Sequence, residues 1–477
     1  MPDETQFLTR LNDVLVDHIP GCERLISADR LSAGASQETY RLKIATESGE
    51  LLLALRRGAG GLVAEASEGR VGLAGEAALM RAAKEAGVPE PEVYYLLRPQ
   101  DQLGEGFIMQ WLDGETLGTR ILRAPELAAL RPRLAFECGQ LLARIHGIDI
   151  EDEALADCLT EMPTREFIQN MWQRYQSYDI PQPMIDYTAR WLLQHLPDDI
   201  EPTLVHNDFR NGNIMVTPEG IQAVLDWEVA HIGDPMRDLG WICTNSWRFG
   251  RTELPVGGFG EYADLFRGYE SVSGKPVDPK RVHFWEVFGS FWWAVGCLSM
   301  AEHYRSGPDQ TVERPAIGRR TSECQVDCVN LLIPGPVELI QPSQTDDTEM
   351  PSISELVQSV RDFLRTEIMS ETEGRNHFLA RVAANSLDIV TRDQAIGEQA
   401  RCAERARLQA LFDTDETDLT ALRWRLVRLL RQQQSDRNVP LSLDDPQLTS
   451  HLRNTVVNQV AIDQPTYSGF KSALSTP

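Results

Sequence analysis

The sequence predicts an α+β chain in three parts. A small β-rich N-terminal lobe (1–112) precedes a larger, mostly helical lobe (113–335), and a linker (336–351) leads to an all-helical C-terminal domain (352–477). Three observations predict it. Short apolar and β-branched runs, bounded by Gly, Pro and polar turns, crowd the first 112 residues. Helical patterns dominate the next stretch, interrupted by two short strand-like segments. A polar, proline-bearing break without periodicity then separates these from four further helical patterns.

Taken in order, 31–44 and 51–56 read as strands around the turn Glu47-Ser48-Gly49-Glu50. Residues 75–86 read as a helix stopped by Gly87, with Pro89 just beyond. Two more strands follow at 93–97 and 106–112, then helical patterns at 125–147 and 167–196. Short apolar runs at 203–217 and 221–226 are separated by polar turns, and helices resume from 239 to 332. Within them, 287–301 is the longest uncharged apolar run; it falls short of the roughly 18 residues a membrane span needs, so it reads as a buried helix. The break is Pro334-Gly335-Pro336 followed by the polar stretch 341–349. Beyond it, 352–369, 373–410, 418–433 and 447–462 are helical; in the first, Val357, Val360, Leu364 and Ile368 keep the 3-and-4 spacing of one apolar face.

Composition narrows the function classes. The 477 residues carry 71 Asp and Glu against 46 Lys and Arg, a net charge of −25. Such a surface repels phosphate backbones and anionic lipid heads, so neither nucleic acid nor a membrane is an expected partner. Asp3 and Glu4 stand where a secretory leader would carry its basic start, so a cytoplasmic location is expected. The eight cysteines are scattered without a CxxC, as reduced thiols would be. Cys324 and Cys328 could share a helix face but lack the second ligand pair a zinc site needs.

The chemistry is concentrated in Leu204-Val205-His206-Asn207-Asp208-Phe209-Arg210-Asn211-Gly212-Asn213-Ile214-Met215-Val216, followed by Ala223-Val224-Leu225-Asp226-Trp227-Glu228. Each half is an apolar strand delivering polar residues at its end. Phosphoryl transfer needs this inventory: a carboxylate to orient a hydroxyl and accept its proton, and oxygen ligands for magnesium. Asp208 can supply the first, Asn213 and Asp226 the second. In the first lobe, the small residues Gly34, Ala35, Ser36 and Gln37 would let backbone N–H groups approach nucleotide phosphates. No Walker A sequence occurs, so a P-loop is not the phosphate device.

On these residues the chain resembles the aminoglycoside phosphotransferase/choline kinase family, small-molecule relatives of the protein kinases, over about 25–332. The resemblance implies a bilobal protein-kinase-like fold, ATP and Mg2+ as cofactors, and a small-molecule hydroxyl as acceptor. It puts Asp208 in the base position, Asn213 and Asp226 in the metal positions, and Asn207 where the family usually has Gly. Arg56 stands in place of the phosphate-contacting Lys, with Arg57 an equally cationic neighbour and Glu76 its ion-pair partner. Gln110 and Leu112 fall on the adenine-binding hinge. Gly233-Asp234-Pro235…Asp238-Leu239 matches a family segment in which Asp238 is expected to be structural, capping the next helix.

The loop 208–213 and the run 224–235 are closest to the branch associated with acyl-CoA dehydrogenases, which implies a hydroxyacyl-CoA acceptor. Aminoglycoside, choline-like and sugar hydroxyls are the alternatives, as is a pseudokinase acting as a nucleotide-binding interaction module. Arg210 and Glu228 are expected on the substrate side, where a cation beside the base could hold an anionic or carbonyl-bearing acceptor. The C-terminal part resembles a small helical family of unassigned function. It is expected to pack on the kinase lobes or on a partner. Within it, Arg423, Arg425, Arg428 and Arg431 make a basic amphipathic helix, open to three readings: a solvated face, a surface docked on the lobes, or a contact to CoA phosphates.

Overall fold

The computed structural model describes residues 4–33, 37–58, 70–156, 158–307, 309–342, 350–432 and 441–475. Helix α1 (Glu4–His18) opens the chain and leads into an antiparallel sheet of five strands, β1 (Cys22–Ala33), β2 (Gln37–Thr46), β3 (Gly49–Gly58), β4 (Val93–Leu96) and β5 (Gly106–Gln110), ordered β1-β2-β3-β5-β4. Strand alternation sorts its side chains. Leu42, Ile44, Leu53, Leu55 and Ile108 face α1 and pack with Leu11 and Leu15. Phe107 faces the other way, into the core shared with α2 (Leu73–Glu85).

Two readings of this region need correction. The run 31–44 is not one strand: it covers the end of β1, the undescribed 34–36 and most of β2. Helix α1 was not foreseen, because only Leu11, Val14 and Leu15 of its fifteen residues are buried.

The second lobe begins with α3 (Gly118–Arg123), α4 (Arg131–Ile145), α5 (Thr164–Gln176) and α6 (Pro183–Gln194). The pattern at 167–196 is therefore two helices; Pro181 and Pro183 break it, and Pro183 opens α6, where a missing N–H costs nothing. Strands β6 (Thr203–Val205) and β9 (His231–Gly233) pair antiparallel around the hairpin of β7 (Ile214–Thr217) and β8 (Gly220–Val224). Helices α7 (Met236–Cys243), α8 (Tyr262–Ser273), α9 (Pro279–Ser306), α10 (Glu313–Arg319) and α11 (Thr321–Leu332) complete the lobe. The apolar run at 287–301 lies in α9, which starts at an Asp278 cap accepting from the Lys280 N–H at 2.9 Å and buries Trp285, Phe288 and Phe291. Helices α4 and α8 cross in contact: a Cβ on Gly139 would lie 2.1 Å from the Leu265 carbonyl oxygen, so only glycine permits the approach.

The C-terminal region runs through α12 (Ile353–Phe363), a π turn and α13 (Met369–Glu371), then α14 (Gly374–Arg392), a second π turn and α15 (Glu398–Phe412). It ends with α16 (Leu419–Leu430), α17 (Pro446–Asp463) and α18 (Ser468–Ser475). Its core is shared with the second lobe: Met184, Tyr187, Val326 and Val329 pack with Leu426, Leu430, Leu452, Val456 and Phe470. At roughly 1.5–3 kcal/mol for each fully buried aliphatic side chain, this joint is a large part of the region's stability.

The expected linker is tied down at its start. The Glu338 and Ile340 N–H groups donate to the Asn454 and Asn458 side chains of α17, each at 2.8 Å. Residues 343–349 lie outside the described residues. Of the three readings of the basic helix, the surface docked on the lobes is the one that fits. Arg423 reaches Glu404, Arg431 pairs with the fully buried Asp186 of α6 at 2.7 Å, and Arg425 lies over the Phe412 ring. Arg423 and Arg431 are thus committed to internal carboxylates rather than to solvent or an external phosphate.

Candidate active site

The loop between β6 and β7 holds the central carboxylate, and buried charges below shape it. Asn207 adopts a left-handed backbone, φ +67°, which Asn tolerates better than most residues and which accounts for the Gly usual there. Asp238 fixes this bend. It sits inside α7, fully buried, and accepts from the backbone N–H of His206 (2.9 Å), that of Asn207 (2.7 Å) and the His146 ring (3.0 Å). Burial works against its charge, but the His146 hydrogen bond and the His146 and His206 rings hold its pKa below the usual range. The expected capping role is therefore corrected: Asp238 binds the loop, not its own helix end. Arg237, pushed down to about 10 by burial, donates to the Asn207 side chain at 2.9 Å.

Asp208, 15 % exposed, is held on both oxygens. Arg210 clasps it with Nε to Oδ1 at 2.9 Å and Nη2 to Oδ2 at 3.1 Å. The Trp241 indole donates to Oδ1 at 2.8 Å, and the Asn213 amide nitrogen to Oδ2 at 2.6 Å. With its nitrogen so used, Asn213 has its amide oxygen left as a ligand atom. The Arg210 guanidinium in turn lies 4.3 Å from the Trp247 ring centroid, and Asn211 donates to the carbonyls of Gly257 (2.6 Å) and Trp247 (3.2 Å).

Arg210, expected on the substrate side beside Asp208, lies clasped to that carboxylate. Trp241, Trp247 and His146 escaped sequence reasoning because nothing in their local spacing marks them. Trp241 stands 33 residues from Asp208 and reaches it only through the packing of α7 against the loop.

A second cluster joins the two lobes. Arg56 on β3 places Nε 3.1 Å from Glu76 Oε2 on α2 and Nη2 2.8 Å from Asp226 Oδ1. Alternation along β3 turns Arg57 to the opposite face, where it pairs with Glu38 at 2.9 Å and stacks on Phe7. Gln37 donates to Glu76 at 3.2 Å. Glu76 is 2 % exposed; burial, opposed by Arg56 and reinforced by Asp226, raises its pKa to about 7. Glu228 is also raised, by burial and then Asp226, and pairs with Arg70 at 2.9 Å.

Oxygens of Glu76, Asp226 and Glu228 lie within 4.8 Å of one another, a donor set suited to a hard cation. Asp226 has φ +69°, so its carboxylate is delivered by a strained turn after β8.

The connection between lobes runs from β5 through Trp111–Gly114. The Gln110 N–H donates to the Glu92 carbonyl at 2.8 Å, and Leu112 is half-buried. Glu115 and Val216 exchange backbone hydrogen bonds at 2.8 and 3.0 Å, which pins this connection to the β7–β8 hairpin. Of the small-residue turn, Gly34, Ala35 and Ser36 lie outside the described residues.

Comparison with known proteins agrees with this geometry. Residues 27–274 match the phosphotransferase enzyme family, and 370–467 match a domain of unknown function, DUF6285. A mouse (Mus musculus) protein, acyl-CoA dehydrogenase family member 10, is 29% identical over 244 residues, covering 49% of this chain and 21% of the relative. The chicken (Gallus gallus) acyl-CoA dehydrogenase family member 11 is 28% identical over 250 residues, covering 49% and 30%. The chain thus spans less than a third of the length of these curated relatives. Among solved structures, one assigned as an aminoglycoside phosphotransferase from Ralstonia eutropha superposes with TM-score 0.55 at 21% identity, over 68% of this chain and 97% of that one. The shared architecture is the kinase-like fold.

Proposed function

From the premise that this chain belongs to the phosphotransferase enzyme family, we propose that it phosphorylates the hydroxyl of a small molecule with ATP and Mg2+, and that the acceptor is a hydroxyacyl-CoA. One observation carries the reading: Asp208, held on both oxygens, and Asp226, which the Arg56–Glu76 pair meets from the other lobe, lie close enough together that both raise the pKa of Glu228.

In this reading Asp208 accepts the proton of the acceptor hydroxyl at a carboxylate oxygen, and its donors keep it in one orientation. Asp226 and Asn213 would hold the magnesium, and Glu76 and Glu228 would add further oxygens around it. When bound, the ion neutralises charge developing on the phosphate oxygens. Arg56, whose planar fork suits phosphate, steadies the nucleotide from β3. The turn at 34–37 is the segment that the family resemblance assigns to its phosphates, as it assigns the backbone of Gln110 and Leu112 to adenine. Arg210 is the cation nearest the base, and while clasped to Asp208 it offers its remaining Nη hydrogens to an anionic acceptor; Glu228 is assigned to the same side. Residues 1–335 form the catalytic unit and 352–477 serve it. We place the protein in the cytoplasm, where its free cysteines stay reduced.

The relatives named as acyl-CoA dehydrogenases support a CoA thioester over other alcohols. A second reading has its own support. Both site carboxylates are engaged by arginines, Asp208 by Arg210 and Asp226 by Arg56, as a nucleotide-gated binding module would keep them.

A screen of ATP consumption against 3- and 4-hydroxyacyl-CoAs, amino alcohols, sugars and aminoglycosides separates the readings. Turnover confined to the hydroxyacyl-CoAs is expected. Turnover only on polycations or sugars overturns the acceptor. Thermal stabilisation by ATP without turnover on any alcohol establishes the binding module.

A further inference from the structure

We propose that Tyr467, in the turn before α18, is a positioning residue of the phosphotransfer site: through Asp327 and Asn245 it fixes the turn carrying Trp247, and Trp247 holds Arg210 against Asp208. The proposal rests on Asp208 being the base. It gives the helical C-terminal region a task in the chemistry rather than a place beside it.

The path is continuous and short. Tyr467 donates its hydroxyl to Asp327 Oδ2 at 2.6 Å. Asn245 donates to the other oxygen of the same carboxylate at 2.7 Å and lies 3.2 Å from the Tyr467 oxygen, while the Ser468 hydroxyl donates to the Asn245 side-chain amide oxygen at 3.4 Å. Asn245 opens the single 3-10 turn that ends at Trp247. From there the Trp247 carbonyl accepts from Asn211, its ring lies under Arg210, and its edge meets Trp241 with centroids 5.0 Å apart. Arg210 and Trp241 are the two side chains that bind Asp208 Oδ1. Five residues therefore lead from the C-terminal region to the base.

Three features make the joint specific. Asp327, Asn245 and Ser468 are buried, so water competes only weakly for their hydrogen bonds. A Cβ on Gly469 would lie 2.5 Å from Asp327 Oδ1 and 2.8 Å from the Tyr467 ring, so the chain approaches as closely as a residue without a side chain allows. The Asn330 side chain also clamps the Gly469 carbonyl at 2.9 Å.

Catalytic groups must hold their geometry to a fraction of an ångström, and the acceptor side is where this brace acts. The same turn lines a cleft of about 410 Å³, where Asn245, Ser246 and Phe249 face Tyr467 and Ser468 of the C-terminal region. The buried Trp247 indole nitrogen has no hydrogen-bond partner among the described residues, so the ring is held by its stacking and by its backbone.

The test uses the full chain. Tyr467→Phe keeps the ring and removes the donor, and Asn245→Ala cuts the same joint from the other side. Expected for each is a fall of about tenfold in kcat with the acceptor identified by the screen, at a KM for ATP changed less than about twofold. The double variant should lose no more than either single one, as residues in one relay do. Arg361→Ala, which breaks an ion pair with Asp388 in the same region, should leave kcat unchanged.

Hydrogen exchange supplies a readout independent of turnover. Tyr467→Phe should speed exchange about tenfold in 206–213 and 245–250. Exchange that rises only in 324–330 and 464–475, with kcat intact, would show an interface bond and nothing more, and would overturn the proposal. If the wild type turns over no acceptor, the phosphotransfer reading fails on its own, while the exchange result still decides whether the brace exists.

Discussion

At the scale of single residues, the site depends on how one carboxylate is restrained. Four hydrogen bonds from three side chains hold Asp208, and a proton acceptor kept in one orientation needs no reorganisation when the hydroxyl arrives. Asp208→Asn keeps the shape and removes the basic oxygen, so turnover should fall by about 10²–10⁴ while ATP still raises the melting temperature; steady-state kinetics and thermal shift check both halves. The residues on this loop were legible in sequence because the H-x-D-x-x-x-x-N spacing is local. Asp238 was legible only as a structural aspartate. Its three partners come from 92, 32 and 31 positions away, and no pattern along the chain announces such a convergence. Arg210 misled for a related reason: its charge was readable, but its partner was not.

At the scale of elements, the reading succeeded where periodicity is strong and erred where a helix's partner decides. The strands β3, β4 and β5 carry apolar runs bounded by turn residues, and they form. The pattern at 167–196 kept helical spacing across two prolines and was read as one piece.

The basic helix α16 is the sharper lesson. Its arginines left a solvated face, a surface docked on the lobes and an external anion open, and Arg431 decides for docking: it pairs with Asp186, whose carboxyl also accepts from Trp172 and Tyr175. Burial raises the Asp186 pKa and Arg431 opposes it. Arg431→Met should therefore strand a buried charge at a cost of about 3–5 kcal/mol in chemical denaturation. Adding Asp186→Asn should recover most of that loss, because the stranded charge is then gone; a double variant no more stable than Arg431→Met would refute this account.

At the scale of the whole molecule, two lobes and a helical region share apolar cores and a buried acid at the joint. Burial lifts Asp327 to about 7; the Tyr467 and Asn245 hydrogen bonds and Arg248 oppose the rise, and Glu323 adds to it. In the unfolded chain the group titrates near the ordinary 3.8. The native state thus binds more protons between those values, so this group's contribution to stability falls as pH rises from about 4 to about 7 and levels off above. Melting curves from pH 5 to pH 8 should show the wild type losing stability relative to Asp327→Asn up to about pH 7. Parallel curves would mean that Asp327 does not titrate there.

The sequence by itself determined the phosphotransferase-like loop, the β-rich start and the helical remainder, since spacing and periodicity are properties of neighbouring residues. Only the tertiary structure decided which charges remain available. Arg210, Arg423 and Arg431 read as open cations, and each meets a carboxylate: Arg210 on its own loop, Arg423 across two helices, Arg431 between the second lobe and the C-terminal region. A long side chain takes whichever opposite charge the fold brings within about 3 Å in a poorly hydrated place, and that choice is made by packing.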